Sequence, residues 1–158
     1  MDAIAAPVIR PSCVAEMREV ALPLLEEHWQ EIALDRDAHK LDPDWANYEF
    51  LEKAELLFTL VAWVDKKLVG YSANILIRKH LHYKQTCYAQ NDVFFVTQGA
   101  RGRHLGLQLI HATERTAFER GAVELLFHAK DTAAGAPFSK LLRLCGYGVQ
   151  DIMFSRRL

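Results

Sequence analysis

The sequence predicts a mixed α/β fold (an α+β mixed sheet) in a single domain that spans residues 1–158. Three observations support this prediction. Apolar residues recur at helical spacing before residue 57, and short β-rich segments follow up to residue 96. A loop rich in glycine and arginine then joins a strand to a helix. A chain of 158 residues also has the usual size of one domain.

The chain is expected to begin with an extended segment, residues 6–10, followed by helical structure. Ser12 is a suitable helix N-cap, and apolar residues recur at helical spacing from Val14 to Ile32. Pro23 interrupts this stripe and lacks the backbone N–H that a helix interior uses. We therefore expect a kinked helix or two consecutive helices.

A second helical region, residues 45–56, is predicted to precede a β-hairpin. Asp42 is its expected N-cap, and Pro43 suits the first turn. Two β-rich segments, residues 57–64 and 68–78, are separated by a short polar turn. This spacing predicts two antiparallel strands joined directly.

The remaining elements alternate between strand and helix. We predict a strand at residues 86–96, a helix at 104–120 and a strand at 123–129. A helix at 137–144 and a last strand at 152–156 complete the expected order.

The composition favours a globular protein of the cytoplasm. Hydrophobic residues make up 51% of the chain and charged residues 25%, as in ordinary folded domains. No apolar run reaches the roughly 18 residues of a membrane span, and the first ten residues lack the pattern of a secretory signal. The 3 cysteines are widely spaced, which predicts neither a disulfide framework nor a cysteine metal site.

The charge is unevenly distributed along the chain. Residues 1–60 contain 13 acidic and 5 basic side chains, whereas residues 61–158 contain 7 acidic and 14 basic ones. This division suggests a face for an anion and another for a cation. A solvated acidic helix surface is the alternative.

The most specific motif, VTQGARGRHLG (residues 96–106), lies between a predicted strand and a predicted helix. Glycine in such a loop lets backbone N–H groups converge on an anion, and the helix N-terminus adds partial positive charge. Arg101 and Arg103 add full charges. The loop is therefore a candidate pyrophosphate site, with an ordinary strand-to-helix turn as the alternative.

The order of elements and this loop resemble the GNAT superfamily of acyl-CoA-dependent N-acyltransferases over nearly the whole chain. The family motif commonly reads V-x-P-x-x-R-G-x-G-x-G, and Val96, Arg101, Gly102 and Gly106 match it. Residues 141–147, LLRLCGY, are similar to the family's closing LYxxxGF element. The resemblance implies a GNAT-like fold with a central, mostly antiparallel sheet and flanking helices. Residues 27–31 and the HLHY segment also resemble acetyltransferase-like proteins carried by bacteriophages.

The resemblance implies transfer of acetyl from acetyl-CoA to a primary amine by direct nucleophilic attack. The pyrophosphate of CoA would lie on the loop amides, and its pantetheine arm would pair with the strand that ends at Val96. A backbone N–H near Phe95 or Val96 would stabilise the oxyanion. The implied cofactor-binding residues are Phe95, Val96, Arg101, Gly102, Arg103, His104, Leu105 and Gly106.

Two positions depart from the family pattern. His104 occupies the place of an inner glycine, so a side chain stands where the backbone usually approaches phosphate. Leu142 occupies the place of the tyrosine that often protonates the leaving thiolate. Tyr147, Ser139 or a water molecule would then supply that proton, or the thiolate would leave without it.

Asp92 is the first candidate for the general base. It opens the apolar strand segment 93–96, and GNAT proteins often place an acidic base on this strand. The alternative is a strand-end aspartate that accepts hydrogen bonds from turn amides.

Histidines form a second group of candidates. His80 and His82 would face the same side of a strand, and His28 and His128 could join them in one pocket. Such a pocket could relay a proton near neutral pH, so His82 and His128 are further catalytic candidates. Imidazoles could also bind a metal, but no spacing here requires one and we expect none.

The first two helical regions are expected to form the wall of the acceptor site, because they do so in the family the chain resembles. Acidic groups there would attract an amine, and aromatic rings would pack against its body. The candidate substrate-binding residues are Glu27, His28, Glu31, Trp45, Tyr48 and His80.

Two other functions remain open at this stage. The first is a non-catalytic protein that keeps the GNAT fold and binds CoA or a partner, which the departures at His104 and Leu142 favour. The second is nucleic-acid binding, which the near-neutral net charge of −1 argues against. The acceptor amine is not identified by the sequence, and a homodimer is possible.

Overall fold

The computed structural model describes residues 6–102 and 104–156. The chain divides into two compact units, Met1–His128 and Ala129–Leu158. Within the described part, the first unit contains a five-stranded sheet with the order β1-β2-β3-β4-β5. The strands are β1 (Val8–Ser12), β2 (Leu57–Val64), β3 (Lys67–Ile77), β4 (Tyr88–Val96) and β5 (Glu124–Leu126).

The sheet is mixed and mostly antiparallel. Three neighbouring pairs, from β1 to β4, are antiparallel, and only β4 and β5 run parallel. The helices are α1 (Val14–Val20), α2 (Leu22–Ile32), α3 (Trp45–Lys53), α4 (Leu105–Glu119) and α5 (Ala136–Leu144). The predicted mixed fold with helices on a central sheet is confirmed.

Apolar side chains on the two faces of the sheet pack against different helices. Val61 and Tyr71 contact Met17 and Leu24 of α1 and α2. Leu60 and its neighbours on the opposite face pack against α4. Successive strand residues point to opposite faces, so the continuous apolar run of β2 serves both layers.

Two helix starts differ from the prediction. Cys13, not Ser12, is the N-cap of α1, because Ser12 is still paired in β1 with Thr59. Asp44, not Asp42, caps α3 by accepting a hydrogen bond from the N–H of Asn47. Each correction moves the cap toward the helix by one or two residues, to the position where a side chain reaches the free amides.

Two breaks in the chain follow the sequence signals. Ala21 separates α1 from α2 just before Pro23, which lies in the first turn of α2, as expected from the missing N–H. Asp65 and Lys66 both have positive φ values, 48° and 62°, between β2 and β3. This geometry is typical of a two-residue hairpin turn.

The second unit contains α5, which ends at a left-handed glycine. Gly146 has a φ of 90°, and the N–H of Tyr147 donates to the carbonyl of Leu142 over 3.0 Å. This pattern closes a helix C-terminus. The predicted strand at residues 152–156 is wrong, since these residues form no strand and their apolar side chains are exposed. A strand needs a neighbour to pair with, and local sequence does not supply one.

Candidate active site

A β-bulge in β4 places Asp92. Val93 pairs with Ala73 and Asn91 pairs with Asn74, so Asp92 is the extra residue on β4. A bulge of this kind bends the strand and redirects a side chain. Asp92 is exposed and contacts α3, whereas the neighbouring Asn91 is buried.

Asn91 binds both sides of this bulge. Its Nδ2 lies 3.1 Å from the carbonyl oxygen of Ala73 and 3.1 Å from that of Val93. The same nitrogen lies 2.9 Å from Oδ1 of Asn74 and 3.2 Å from Oγ of Ser72. Asn91 is not among the residues predicted from the sequence, although an Asn-Asp pair inside an apolar strand is a usable signal of a bulge or a site.

Tyr48 on α3 donates a hydrogen bond from its hydroxyl to the carboxylate of Asp92. Burial raises the pKa of Tyr48 above its usual value, and the hydrogen bond to the negative Asp92 raises this pKa further. Tyr48 therefore remains a protonated donor at physiological pH. The predicted acceptor-side residue Tyr48 and the predicted base Asp92 are in direct contact.

A cavity of about 300 Å³ lies beside this pair, between the sheet and the helices α1 to α3. Thr59, Ala73 and Val93 of the sheet contribute to it, as do Tyr48 and Trp45 of α3. The full lining is Val14, Met17, Leu25, Trp29, His39, Lys40, Leu41, Asp42, Pro43, Trp45, Tyr48, Thr59, Ala73 and Val93. The lining therefore includes Val93, which follows Asp92 in β4, and Tyr48, which binds Asp92.

The strands β4 and β5 separate just before the bulge. They pair from Tyr88 to Gln90 with Glu124 to Leu126, and no described residue of β5 pairs with residues 91–96. The predicted strand at 123–129 is correspondingly shorter than expected. Beyond Gln90 the β5-side edge of β4 has no partner strand among the described residues, and the carbonyl of Val96 accepts a hydrogen bond from Arg101.

The loop after β4 leads into α4 through two left-handed residues. Gly102 has a φ of 82°, and His104, the N-cap of α4, has a φ of 59°. The first intrahelical bond joins the N–H of Gln108 to the carbonyl of His104, so the amides of Leu105 and Gly106 lie at the open helix end. Arg103, another predicted loop residue, lies outside the described residues.

Arg101 directs its guanidinium toward α2. Its Nη2 lies 2.7 Å from Oε2 of Glu31, and its Nε donates to the carbonyl of Val96 over 2.8 Å. The guanidinium carbon also lies 5.4 Å from the ring centroid of Phe95. Glu27 accepts a hydrogen bond from the hydroxyl of Thr97 over 2.6 Å. Both predicted acidic residues of α2 thus bind the segment that follows β4.

His28 is a core residue of the α2 layer. Its side chain is buried, its Nδ1 lies 2.8 Å from the hydroxyl of Tyr71, and its ring stacks on Phe95 at 4.6 Å. Burial raises the pKa of Tyr71, which keeps this phenol protonated.

The expected pocket of four histidines is wrong. His80 and His82 lie in the segment between β3 and β4, with ring centroids 5.6 Å apart, and are not on a strand. His80 contacts Tyr88 at the start of β4, whereas His28 contacts Phe95, about 23 Å further along that strand. Strand length therefore keeps His28 apart from His80 and its neighbour His82.

His128 follows β5 at the same distance along the strand direction as Asp92 in β4. Each residue lies two positions beyond the last β4–β5 pair, Gln90 with Leu126. His128 is exposed where the strands separate. Within residues 6–102 and 104–156, no three His, Cys, Asp or Glu side chains are grouped to hold a metal ion.

Comparison with known proteins identifies the family of this fold. Residues 15–147 match the sequence model of the acetyltransferase (GNAT) family. Because this match covers most of the chain, the protein belongs to the GNAT acetyltransferase family. The predicted enzyme class, an acyl-CoA N-acyltransferase, is confirmed.

Solved structures share the fold over almost the whole chain. An aminoglycoside acetyltransferase from an uncultured soil metagenomic sample has a TM-score of 0.77 and 16% identity, covering 98% of this chain and 99% of that one. Ribosomal-protein-alanine N-acetyltransferase from Brucella melitensis has a TM-score of 0.71 and 24% identity, covering 97% and 99%.

A third similar structure was solved with a bound analogue. Aminoglycoside acetyltransferase AAC(6′)-Iy, in complex with a CoA-containing bisubstrate analogue, has a TM-score of 0.67 and 19% identity, covering 98% and 99%. Comparison with curated protein sequences finds no match. Among the described helices, none is long and apolar enough to cross a membrane.

Proposed function

We propose that this protein transfers the acetyl group of acetyl-CoA to a primary amine, with Asp92 as the general base. The observation that carries this proposal is the position of Asp92. It lies on the β4 bulge, two residues beyond the last β4–β5 pair, and accepts a hydrogen bond from Tyr48, which lines the cavity. An amine in the cavity and a thioester along the edge would meet at this carboxylate.

The donor side has the features that a CoA pyrophosphate requires. The backbone turns through left-handed residues at Gly102 and His104 and enters α4, whose first amides are available to an anion. Beyond Gln90 the β5-side edge of β4 is unpaired among the described residues and suits the amide groups of the pantetheine arm, with the Val96 carbonyl already bound by Arg101. The complex of AAC(6′)-Iy with CoA, which has the same fold, is consistent with this assignment.

Arg101 would act by holding the loop, because its guanidinium binds Glu31 and the carbonyl of Val96. Glu27 supports the same segment through Thr97. These contacts connect the donor side to α2. Arg103 keeps its predicted role as a second charge near the pyrophosphate.

The reaction follows from these positions. The carboxylate of Asp92 removes a proton from the bound ammonium, and the neutral amine attacks the thioester carbonyl carbon. The C–N bond forms, the oxyanion is stabilised by a backbone N–H near Phe95 or Val96, and the nitrogen loses its second proton to water. The carbonyl then re-forms and the C–S bond breaks. The thiolate leaves with the bonding electrons. Leu142, at the position of the family's usual acid, cannot protonate it, so solvent would supply that proton. His128 is the remaining histidine candidate for moving the proton from Asp92 to water.

Ligand-dependent unfolding tests the donor. Acetyl-CoA at about 100 times its dissociation constant should stabilise the fold by about 2.7 kcal/mol. For a chain of this length that is a rise of roughly 5–10 °C in the unfolding midpoint. CoA should act similarly and ATP less, and Arg101→Ala should weaken the response. Arg115→Ala, which changes an exposed arginine of α4, is the matched control.

An acetylation assay with a panel of amines tests the transfer. Turnover that requires Asp92 would support the proposal. Binding of acetyl-CoA with no turnover of any amine would favour the alternative, a non-catalytic CoA-binding protein, for which Leu142 at the usual acid position is the supporting observation. No shift with any ligand would overturn the donor assignment.

A further inference from the structure

The cavity that Tyr48 and Val93 help to line has mostly apolar walls. Leu25, Trp29 and Trp45 contribute to its walls, and Ala73 and Val93 contribute from the sheet. The indole N–H of Trp29 donates to the carbonyl of His39 over 3.2 Å, so its polar atom is bound by the loop while the side chain lines the cavity. Such a lining favours burial of carbon surface.

The acidic side chains of α2 that were expected to attract an amine, Glu27 and Glu31, are not in this lining. Glu31 is paired with Arg101, and Glu27 accepts from Thr97. The charged residues that do line the cavity are Lys40 and Asp42, one of each sign. A polyhydroxylated or polycationic acceptor would therefore lose hydration without gaining matching partners.

The volume also restricts the acceptor. An apolar cavity of about 150 Å³ accommodates a benzene molecule. The cavity here, about 300 Å³, is therefore large enough for one ring and a short chain. Tyr48, which binds Asp92, shares the cavity lining with Trp29 and Trp45, so a ring packed against these tryptophans would leave the amine on the side of the carboxylate.

We infer that the acceptor is a small arylalkylamine, a primary amine joined by a short chain to one aromatic ring. This inference rests on the proposed acetyl transfer and specifies its substrate class. Trp29 and Trp45 would then be specificity-determining residues, because their rings would pack against the substrate ring.

The first experiment measures binding without turnover. The chain has 3 tryptophans, of which Trp29 and Trp45 line the cavity and Trp63 does not. Titration with 2-phenylethylamine should change the intrinsic tryptophan fluorescence. Trp63→Phe should retain this change, and Trp45→Phe should reduce it. No saturable change in the wild-type protein would overturn the inference.

The second experiment compares acceptors in the acetylation assay. We expect kcat/KM for 2-phenylethylamine to exceed that for an aminoglycoside or for lysine by at least about tenfold. Trp45→Ala should raise KM for 2-phenylethylamine about tenfold while the KM for acetyl-CoA stays within about twofold. Ala73→Val, which reduces the cavity, should discriminate more strongly against larger rings.

The outcomes separate the two claims. Efficient acetylation of aminoglycosides, with little activity on aromatic amines, would overturn the substrate class and leave acetyl transfer intact. Saturable binding of 2-phenylethylamine without acetylation of any amine would support the apolar pocket and reject the proposed function. Preferred turnover of a peptide with an aromatic N-terminal residue would overturn the small-molecule assignment.

Discussion

The hydroxyl of Tyr48 donates a hydrogen bond to the carboxylate of Asp92, and this contact joins α3 to the bulge of β4. Tyr48 is 44 residues away in the chain, so the pair exists only in the folded protein. Burial and the bond to Asp92 keep the pKa of Tyr48 above its usual value, which maintains the phenol as the donor. The contact both orients the carboxylate and connects it to the cavity.

Asp92→Asn tests this carboxylate directly. We expect kcat to fall by about 10²- to 10⁴-fold, because an amide cannot accept the proton of the ammonium. Tyr48→Phe should lower kcat less, because the carboxylate of Asp92 would still be present and would lose only the hydrogen bond from Tyr48. Steady-state acetylation assays measure both, and Asp65→Asn in the exposed hairpin turn is the control. Unchanged turnover in Asp92→Asn would remove Asp92 from the mechanism.

Asn91→Ala tests the support of the bulge. Loss of the bonds to Ala73 and Val93 leaves buried carbonyl groups without this donor, so the free energy of unfolding should fall by about 1–3 kcal/mol. Denaturant unfolding measures this change, with Asn47→Ala on exposed α3 surface as the control.

The same variant tests positioning. If Asn91 acts through Asp92, Asn91→Ala should lower kcat in the wild-type background and much less in the Asp92→Asn background. Equal losses in the two backgrounds would mean that Asn91 has only a structural role.

His104→Gly tests the left-handed turn before α4. A left-handed conformation costs an L-residue about 1–2 kcal/mol, and glycine avoids this cost. Glycine also gives up more conformational entropy on folding, which offsets part of the gain in stability. We expect the unfolding midpoint to rise by about 2–4 °C. Gly102→Ala should lower the unfolding midpoint, because φ is 82° there and an L-residue is strained in this conformation. An added Cβ would contact nothing within 4 Å, so backbone strain alone causes the change. Weaker acetyl-CoA binding in His104→Gly would show instead that the imidazole contacts the ligand.

Glu16→Gln tests a pH-dependent contact between β1 and α1. Hydrogen bonds from Arg10 and Ser12 lower the pKa of Glu16 to about 2, against a usual value of 4.5. The charged form therefore stabilises the fold above pH 4.5, and this stabilisation is lost as the pH falls toward 2. The carboxyl group is partly exposed, which keeps the effect small.

Thermal unfolding at several pH values measures this contribution. The midpoint of Glu16→Gln should lie below that of the wild type near pH 7, and the two should converge toward pH 2. Glu19→Gln, at an exposed position of the same helix, is the control. A constant difference across this range would contradict the assigned contact.

Features encoded by a few adjacent residues could be predicted from the sequence. β-rich segments and a short polar turn placed β2 and, to within one residue, the start of β3, and the missing N–H of Pro23 placed the break between α1 and α2. The motif at residues 96–106 and its position before a helix identified the family that the comparison later matched.

Features that depend on distant partners could not be predicted. The bulge at Asp92 exists because of the register between β3 and β4, and Arg101 reaches Glu31 across 70 residues. His80 and His28, which the sequence allowed in one pocket, contact opposite ends of β4.

The sequence by itself therefore determined the fold class, the family and the identity of Asp92 as a candidate base, because each follows from local spacing and motif. Only the tertiary structure decided that Asp92 meets Tyr48, that Asn91 holds the bulge, and that the adjacent cavity is apolar. The physical reason is that strand register and helix packing bring together side chains whose separation along the chain carries no local signal.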